Sequence, residues 1–189
     1  MHLASTGKIN TTNILVGVEL LSKEFTATSL PVCVDFDHVF DINNPSRCIA
    51  RSNIENPSEN LFYIVNPMQS VLNQVEAGMI SEGKYFSLLP CRSHELESSS
   101  SYSNNLVLCA FIISKNNPTA DLANIIKTVY DAMGIRYMTT ICEDIPNCVE
   151  FIVNGITVCR VETKYKEDKY VTTASVITEP VLSYTLSLV

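Results

Sequence analysis

Cys91 and His94 stand three residues apart in the stretch CRSHELE (91–97). A thiol that surrenders its proton to a neighbouring imidazole is a nucleophile for acyl transfer, provided N–H groups also wait where the oxyanion forms. Spacing alone supplies neither, so the two residues are a candidate catalytic couple, and a strand end with a solvated His is the plainer reading. A second grouping lies in CVDFDHVFD (33–41). Strand alternation would put Cys33, Asp35 and Asp37 on one face and His38 on the other. Two carboxylates side by side can share a divalent cation, which makes Asp35, Asp37 and, across a bulge, His38 candidate metal ligands. A solvated strand face produces the same D-x-D pattern more often. In CEDIPNC (142–148), Cys142 and Cys148 flank a turn. If the flanking strands pair, the thiols face each other, either as a redox bridge or as two small buried side chains.

Two corners with the order strand, Asn-Pro, helix invite a phosphate: Asn66-Pro67 and Asn117-Pro118. A phosphate-binding corner needs glycines so that backbone N–H groups can close on the anion, and neither VNPMQ nor KNNPTA has one. Both read as structural hinges. LFYIVN (61–66) invites comparison with the first strand of an RNA-recognition layer, but LVLCAFIIS (106–114) lacks the basic and aromatic signature of its third strand.

The formal charge of −7 argues against a nucleic-acid partner, because binding a phosphate backbone draws on clustered Lys and Arg. Seven Cys with no C-x-x-C spacing form an odd set, which suggests reduced thiols and neither a zinc ribbon nor a disulfide framework. No segment reads as a signal peptide or a membrane span, so the expected setting is cytoplasmic or an assembled particle, with no membrane partner. The sequon Asn10-Thr11-Thr12 then has no export route.

These groups must be positioned by an α+β fold. Residues 1–59 read as short strands, among them NILVGVELL, PVCVDFDHVFDI and RCIARSNI; periodicity also admits a helix over NILVGVELLSKEF, and Val16, Gly17 and Val18 favour the strand. Residues 60–143 read as β-α-β-β-α-β, the element order of a ferredoxin-like layer. Its first helix carries the stripe Met68, Val71, Leu72, Val75 and Met79, and its second Leu122, Ile125, Ile126, Val129 and Met133. Gly78 or Gly83 would end the first and Gly134 the second. Residues 144–189 read as a hairpin about Asn154-Gly155, a charged turn KEDK, the strand YVTTASVITE and, after Pro180, a last strand LSYTLSLV.

With no pattern of catalysis rising above its plainer reading, the expected function is a non-catalytic structural or interaction protein. It would use protein partners or self-association, as in a viral particle or another assembly, and no cofactor. The alternative is a hydrolase using Cys91 and His94, or a metal at Asp35 and Asp37.

Overall fold

A computed structural model of the chain describes residues 9–35, 50–51, 61–64, 66–94, 102–143, 145–179 and 181–188. Ten strands and four helices lie in this part of the chain: α1 (Thr11–Leu21), β1 (Thr26–Ala27), β2 (Cys33–Asp35), β3 (Ala50–Arg51), β4 (Leu61–Tyr63), α2 (Pro67–Glu76), β5 (Gly83–His94), β6 (Tyr102–Ser114), α3 (Thr119–Ala132), β7 (Met138–Ile141), β8 (Cys148–Val153), β9 (Ile156–Lys166), β10 (Lys169–Glu179) and α4 (Val181–Leu186). Seven strands form one sheet in the order β1-β5-β6-β10-β9-β8-β7, and β2-β4-β3 form a smaller one. The large sheet is antiparallel except for the β1–β5 pair. The α+β class stands.

The β-α-β-β-α-β order recurs from β4 to β7, but its strands do not form one ferredoxin-like layer. β4 belongs to the small sheet, β5 and β6 lie near one side of the large sheet, and β7 is its far edge. Three strands, β10, β9 and β8, stand between β6 and β7. Element order alone does not fix strand neighbours, because an intervening hairpin is free to insert.

Each face of the large sheet has its own core. On one, α1, α3 and α4 bury Ile14, Leu21, Leu122, Ile126, Val129 and Leu182 against Phe86, Leu108, Ala110, Phe151, Val161 and Ala174. On the other, Met68, Val71 and Val75 of α2 join Leu30, Val34 and Ile64 over Leu89, Val107, Phe111 and Val171. The two expected stripes pack on opposite faces: Met68, Val71, Val75, Leu122, Ile126 and Val129 are buried, Leu72, Ile125 and Met133 half-buried, and Met79, beyond the end of α2, is exposed. Helix α2 starts as its sequence indicates, with Pro67 at the first position and the Asn66 N–H donating to Gln69 Oε1 at 3.3 Å. In α3 the cap is one residue further back: Asn117 Oδ1 accepts from the Thr119 N–H at 3.1 Å. Gly134 adopts φ +69° and lets the Ile135 N–H turn back to the Tyr130 carbonyl at 2.9 Å, closing the helix.

Two expected strands are helices. NILVGVELL lies in α1, where Asn10, the sequon residue, accepts from the Thr12 N–H at 3.0 Å as the N-cap. Its buried positions Ile14, Gly17 and Leu21 follow helical spacing. Gly17 sits in mid-helix because the sheet comes close: a Cβ there would stand 2.6 Å from Ile177 Cδ1 and from Leu108 Cδ2. The expected last strand, LSYTLSLV, is largely α4. Leu182 and Thr185 are buried, and Thr185 is held through its carbonyl by Asn154 Nδ2 at 2.9 Å. Leu182, Tyr184 and Leu186 satisfy alternation, but Leu182 and Leu186 also satisfy i, i+4, and packing decided between them.

The two turns read from sequence are present. Asn154 and Gly155 take φ +49° and +78° between β8 and β9, and Glu167 and Asp168 take +50° and +59° between β9 and β10. Of PVCVDFDHVFDI and RCIARSNI, the described strand parts are β2 and β3.

Candidate functional site: the polar floor of the sheet

Residues directly opposite on neighbouring strands share a face of the sheet, so register alone assembles a floor from distant parts of the chain. One row runs Tyr85, Phe111, Thr173, Glu162, Cys148 across β5, β6, β10, β9 and β8. The next runs Ser87, Cys109, Ser175, and is continued on the outer strands by Arg160, Glu150 and Thr140. This is the face on which α2 packs. The helix covers the β5, β6 and β10 part, where Tyr85 and Phe111 stack with centroids 5.4 Å apart, and β8 and β9 carry the half-buried polar groups.

The charged centre of the floor is Arg160. Its Nη2 lies 2.6 Å from Glu150 Oε1, and its Nε donates to the same oxygen at 2.7 Å. Burial opposes the guanidinium charge, but the Glu150 hydrogen bond and carboxylate hold its pKa above the ordinary value. A guanidinium has five N–H donors, so donors remain for a ligand. Thr173 and Ser87 are buried hydroxyls, and Ser175 and Glu162 are half-buried. At the β1 side, Ser87 and Leu89 reach a cleft of about 460 Å³ that is also lined by Ala27, Thr28, Leu30 and Val32. Its volume is in the range of small-molecule sites.

The candidates named from sequence fall in different places. Cys91 is buried in the α2 core, and burial pushes its thiol up to about 12, so at neutral pH it carries its proton. His94 ends β5 opposite Tyr102, three positions along the strand from Cys91. Asp35 ends β2 opposite Leu61; Asp37 and His38 lie outside the described residues. Among the described residues no three His, Cys, Asp or Glu side chains gather as a metal site. Cys91, Cys109, Cys142, Cys148 and Cys159 are free thiols.

Arg160, Glu150, Glu162, Thr173 and Ser175 were not singled out from sequence. Their signal was polar residues inside apolar strands, at alternate positions 160 and 162 and 173 and 175, and singly at 150. Each strand shows it faintly, and it becomes a site only when the strand order is known.

No family model and no curated protein sequence matches the chain. Solved structures do. The cytoplasmic serine-tRNA ligase of Naegleria fowleri, in complex with AMP, superposes with a TM-score of 0.69 at 10% identity, over 88% of this chain and 46% of that one. The pyrrolysyl-tRNA synthetase of Desulfitobacterium hafniense gives 0.65 at 10% identity over 94% of this chain and 68% of that one. PylSc, a pyrrolysyl-tRNA synthetase from the same organism, gives 0.61 at 12% over 93% and 66%. The chain thus spans about half the length of the serine ligase it matches. Among the described residues no helix is long and apolar enough to cross a membrane. The expected structural or interaction protein of a viral particle or other assembly, with its hydrolase alternative, is corrected by these matches: that expectation rested on the lack of a familiar pattern, and at 10–12% identity the pattern survives in the fold and not in the residues. The fold is α+β with a seven-stranded, mostly antiparallel sheet, and it resembles the catalytic domain of class II aminoacyl-tRNA synthetases.

Proposed function

We propose that this chain is a nucleotide-binding domain of the aminoacyl-tRNA-synthetase type, taking an adenine nucleotide on the polar floor of its large sheet. The observation that carries the reading is the superposition on a tRNA ligase whose structure holds AMP. The floor has suitable chemistry for such a ligand. Arg160 offers N–H donors to a phosphate, Glu162 offers an acceptor to an exocyclic amine or ribose hydroxyl, and the half-buried Ser175 adds a hydroxyl that donates or accepts. By extension, the reaction is activation of a carboxylic acid as its acyl adenylate, with release of pyrophosphate and a tRNA as the class of acceptor.

The expected exclusion of nucleic acid rested on a net charge of −7. Net charge governs non-specific attraction to phosphate backbones, and a specific RNA contact needs only a local basic surface.

Titration calorimetry with AMP and with ATP tests the reading. Saturable binding is expected, weakened about tenfold or more by Arg160→Ala, the equivalent of one charge-assisted hydrogen bond. A folded chain that binds neither nucleotide sinks it. Exchange of labelled pyrophosphate into ATP, scanned over amino acids, tests the extension separately.

A further inference from the structure

We propose that Cys142 and Cys148 are a reversible redox pair whose disulfide fastens the edge strand β7 to β8. Strand β7 pairs with β8 from Met138↔Ile152 to Ile141↔Val149, and the Cys142 N–H donates to the Cys148 carbonyl at 3.0 Å, extending the ladder by one position. Opposed residues of an antiparallel pair have Cα atoms about 4.5–5.5 Å apart, inside the span a disulfide bridges. Each thiol lies close enough to influence the proton of the other.

The surroundings divide the labour. Cys142 is half-exposed and open to an oxidant, whereas Cys148 is buried behind it. The Arg160 guanidinium lies near enough to interact with both sulfurs, and it favours the thiolate at Cys148. Burial, with the neighbouring Cys142 and Glu162, outweighs this and pushes the Cys148 thiol up to about 12, so in the absence of an oxidant it rests protonated. Cys33 is half-exposed elsewhere, and Cys91, Cys109 and Cys159 are buried, so among the described thiols the accessible and the resolving sulfur meet at this turn.

With a small disulfide such as oxidised glutathione, the Cys142 thiolate attacks one sulfur and expels a glutathione thiolate, leaving a mixed disulfide. Cys148 loses its proton to solvent and attacks the Cys142 sulfur, expelling the second glutathione. Two protein thiols are oxidised to one disulfide and one glutathione disulfide is reduced to two thiols; a dithiol reverses the reaction. The strand so fastened has a paired neighbour on one side only. β7 is an edge strand, all four of its residues are exposed, and Met138 and Ile141 are 67% and 75% exposed. Oxidation therefore acts on an exposed edge of the sheet, next to the Arg160–Glu150 pair.

The test is to treat the reduced chain with oxidised glutathione, then map disulfides by mass spectrometry and follow amide hydrogen exchange. Expected are a peptide linking Cys142 to Cys148, its loss on adding dithiothreitol, and slower exchange over residues 138–153 in the oxidised chain. Cys148→Ser should halt the reaction at glutathione on Cys142. The proposal is overturned if the parent chain keeps glutathione on Cys142 beside a free Cys148, if Cys142 links to another cysteine, or if exchange over 138–153 does not change in the linked form. None of these readouts depends on nucleotide binding.

Discussion

The Tyr130 hydroxyl donates a 2.8 Å hydrogen bond to the carbonyl of Val176, the residue that a bulge in β10 leaves without a partner on β6. Ser175 pairs with Cys109 and Ile177 with Leu108, so Val176 is the extra residue and its carbonyl is met by a side chain of α3. Tyr130 is fully buried, and burial keeps its hydroxyl protonated far above the ordinary range. Tyr130→Phe should lower stability by about 1–3 kcal/mol, the cost of orphaning a buried carbonyl. Urea unfolding measures it, and an unchanged midpoint would mean that the bulge is held by packing alone.

Gly17 marks the closest approach of α1 to the sheet. Gly17→Ala sets a gain in helix propensity of about 1 kcal/mol against a methyl pressed on Ile177 and Leu108. Both neighbours are buried, so overpacking should win, with a net loss of about 1–2 kcal/mol. Adding Ile177→Val, which removes the Cδ1 methyl, should recover part of it; strictly additive effects in this double-mutant cycle would contradict the contact.

Ile126 and Val71 are both fully buried, on opposite faces of the sheet. Ile126→Ala should cost about 2–5 kcal/mol, and Val71→Ala a smaller amount in keeping with its smaller volume. Because the two side chains belong to separate clusters with the sheet between them, the losses should add to within about 0.5 kcal/mol. Denaturation of the two single variants and the double variant checks this.

Cys91 makes stability sensitive to alkali. Its thiol is raised from an ordinary value of 9.0 to about 12 by burial. Below pH 9 folded and unfolded chains both keep the proton and the group contributes no pH dependence. Above it the unfolded chain ionises first, so stability falls as pH rises, by up to about 1.4 kcal/mol per unit, until the folded thiol titrates as well. The difference between the parent and Cys91→Ala in urea midpoint should therefore shrink from pH 8 to pH 10.5; a constant difference would count against the burial of this thiol.

The legible parts of the sequence were those whose physics is local. Asn154-Gly155 demands two positive φ angles, and the stripes of α2 and α3 repeat at helical spacing through several turns, so neither needs the rest of the fold to be recognised. For α1 periodicity admitted both a strand and a helix, and the strand was favoured because Val16, Gly17 and Val18 suit one; the reason for Gly17 is a contact with Leu108 and Ile177, far along the chain. The small sheet was misread for a related reason: LFYIV has the composition of any strand, and nothing in it says that its partners are β2 and β3 and not β5. The floor of the site was least legible. Ser87, Cys109, Ser175, Arg160 and Glu150 belong to five strands, and their meeting is a property of strand order, which leaves no mark at fixed spacing.

Strand β10 lies between β6 and β9, although it is made after both. A chain emerging from a ribosome can form the β5–β6 and β8–β9 hairpins early, but the two remain unjoined until residue 179 is clear of the exit tunnel. During that interval each presents an apolar, unpaired edge, β6 with Val107, Cys109, Phe111 and Ile113 and β9 with Val158, Cys159 and Val161. Folding of the sheet is thereby delayed until synthesis has passed β10: products of premature termination after β6 carry its edge open, and those that end after β9 but before β10 carry both edges open, a template for aggregation or for capture by chaperones.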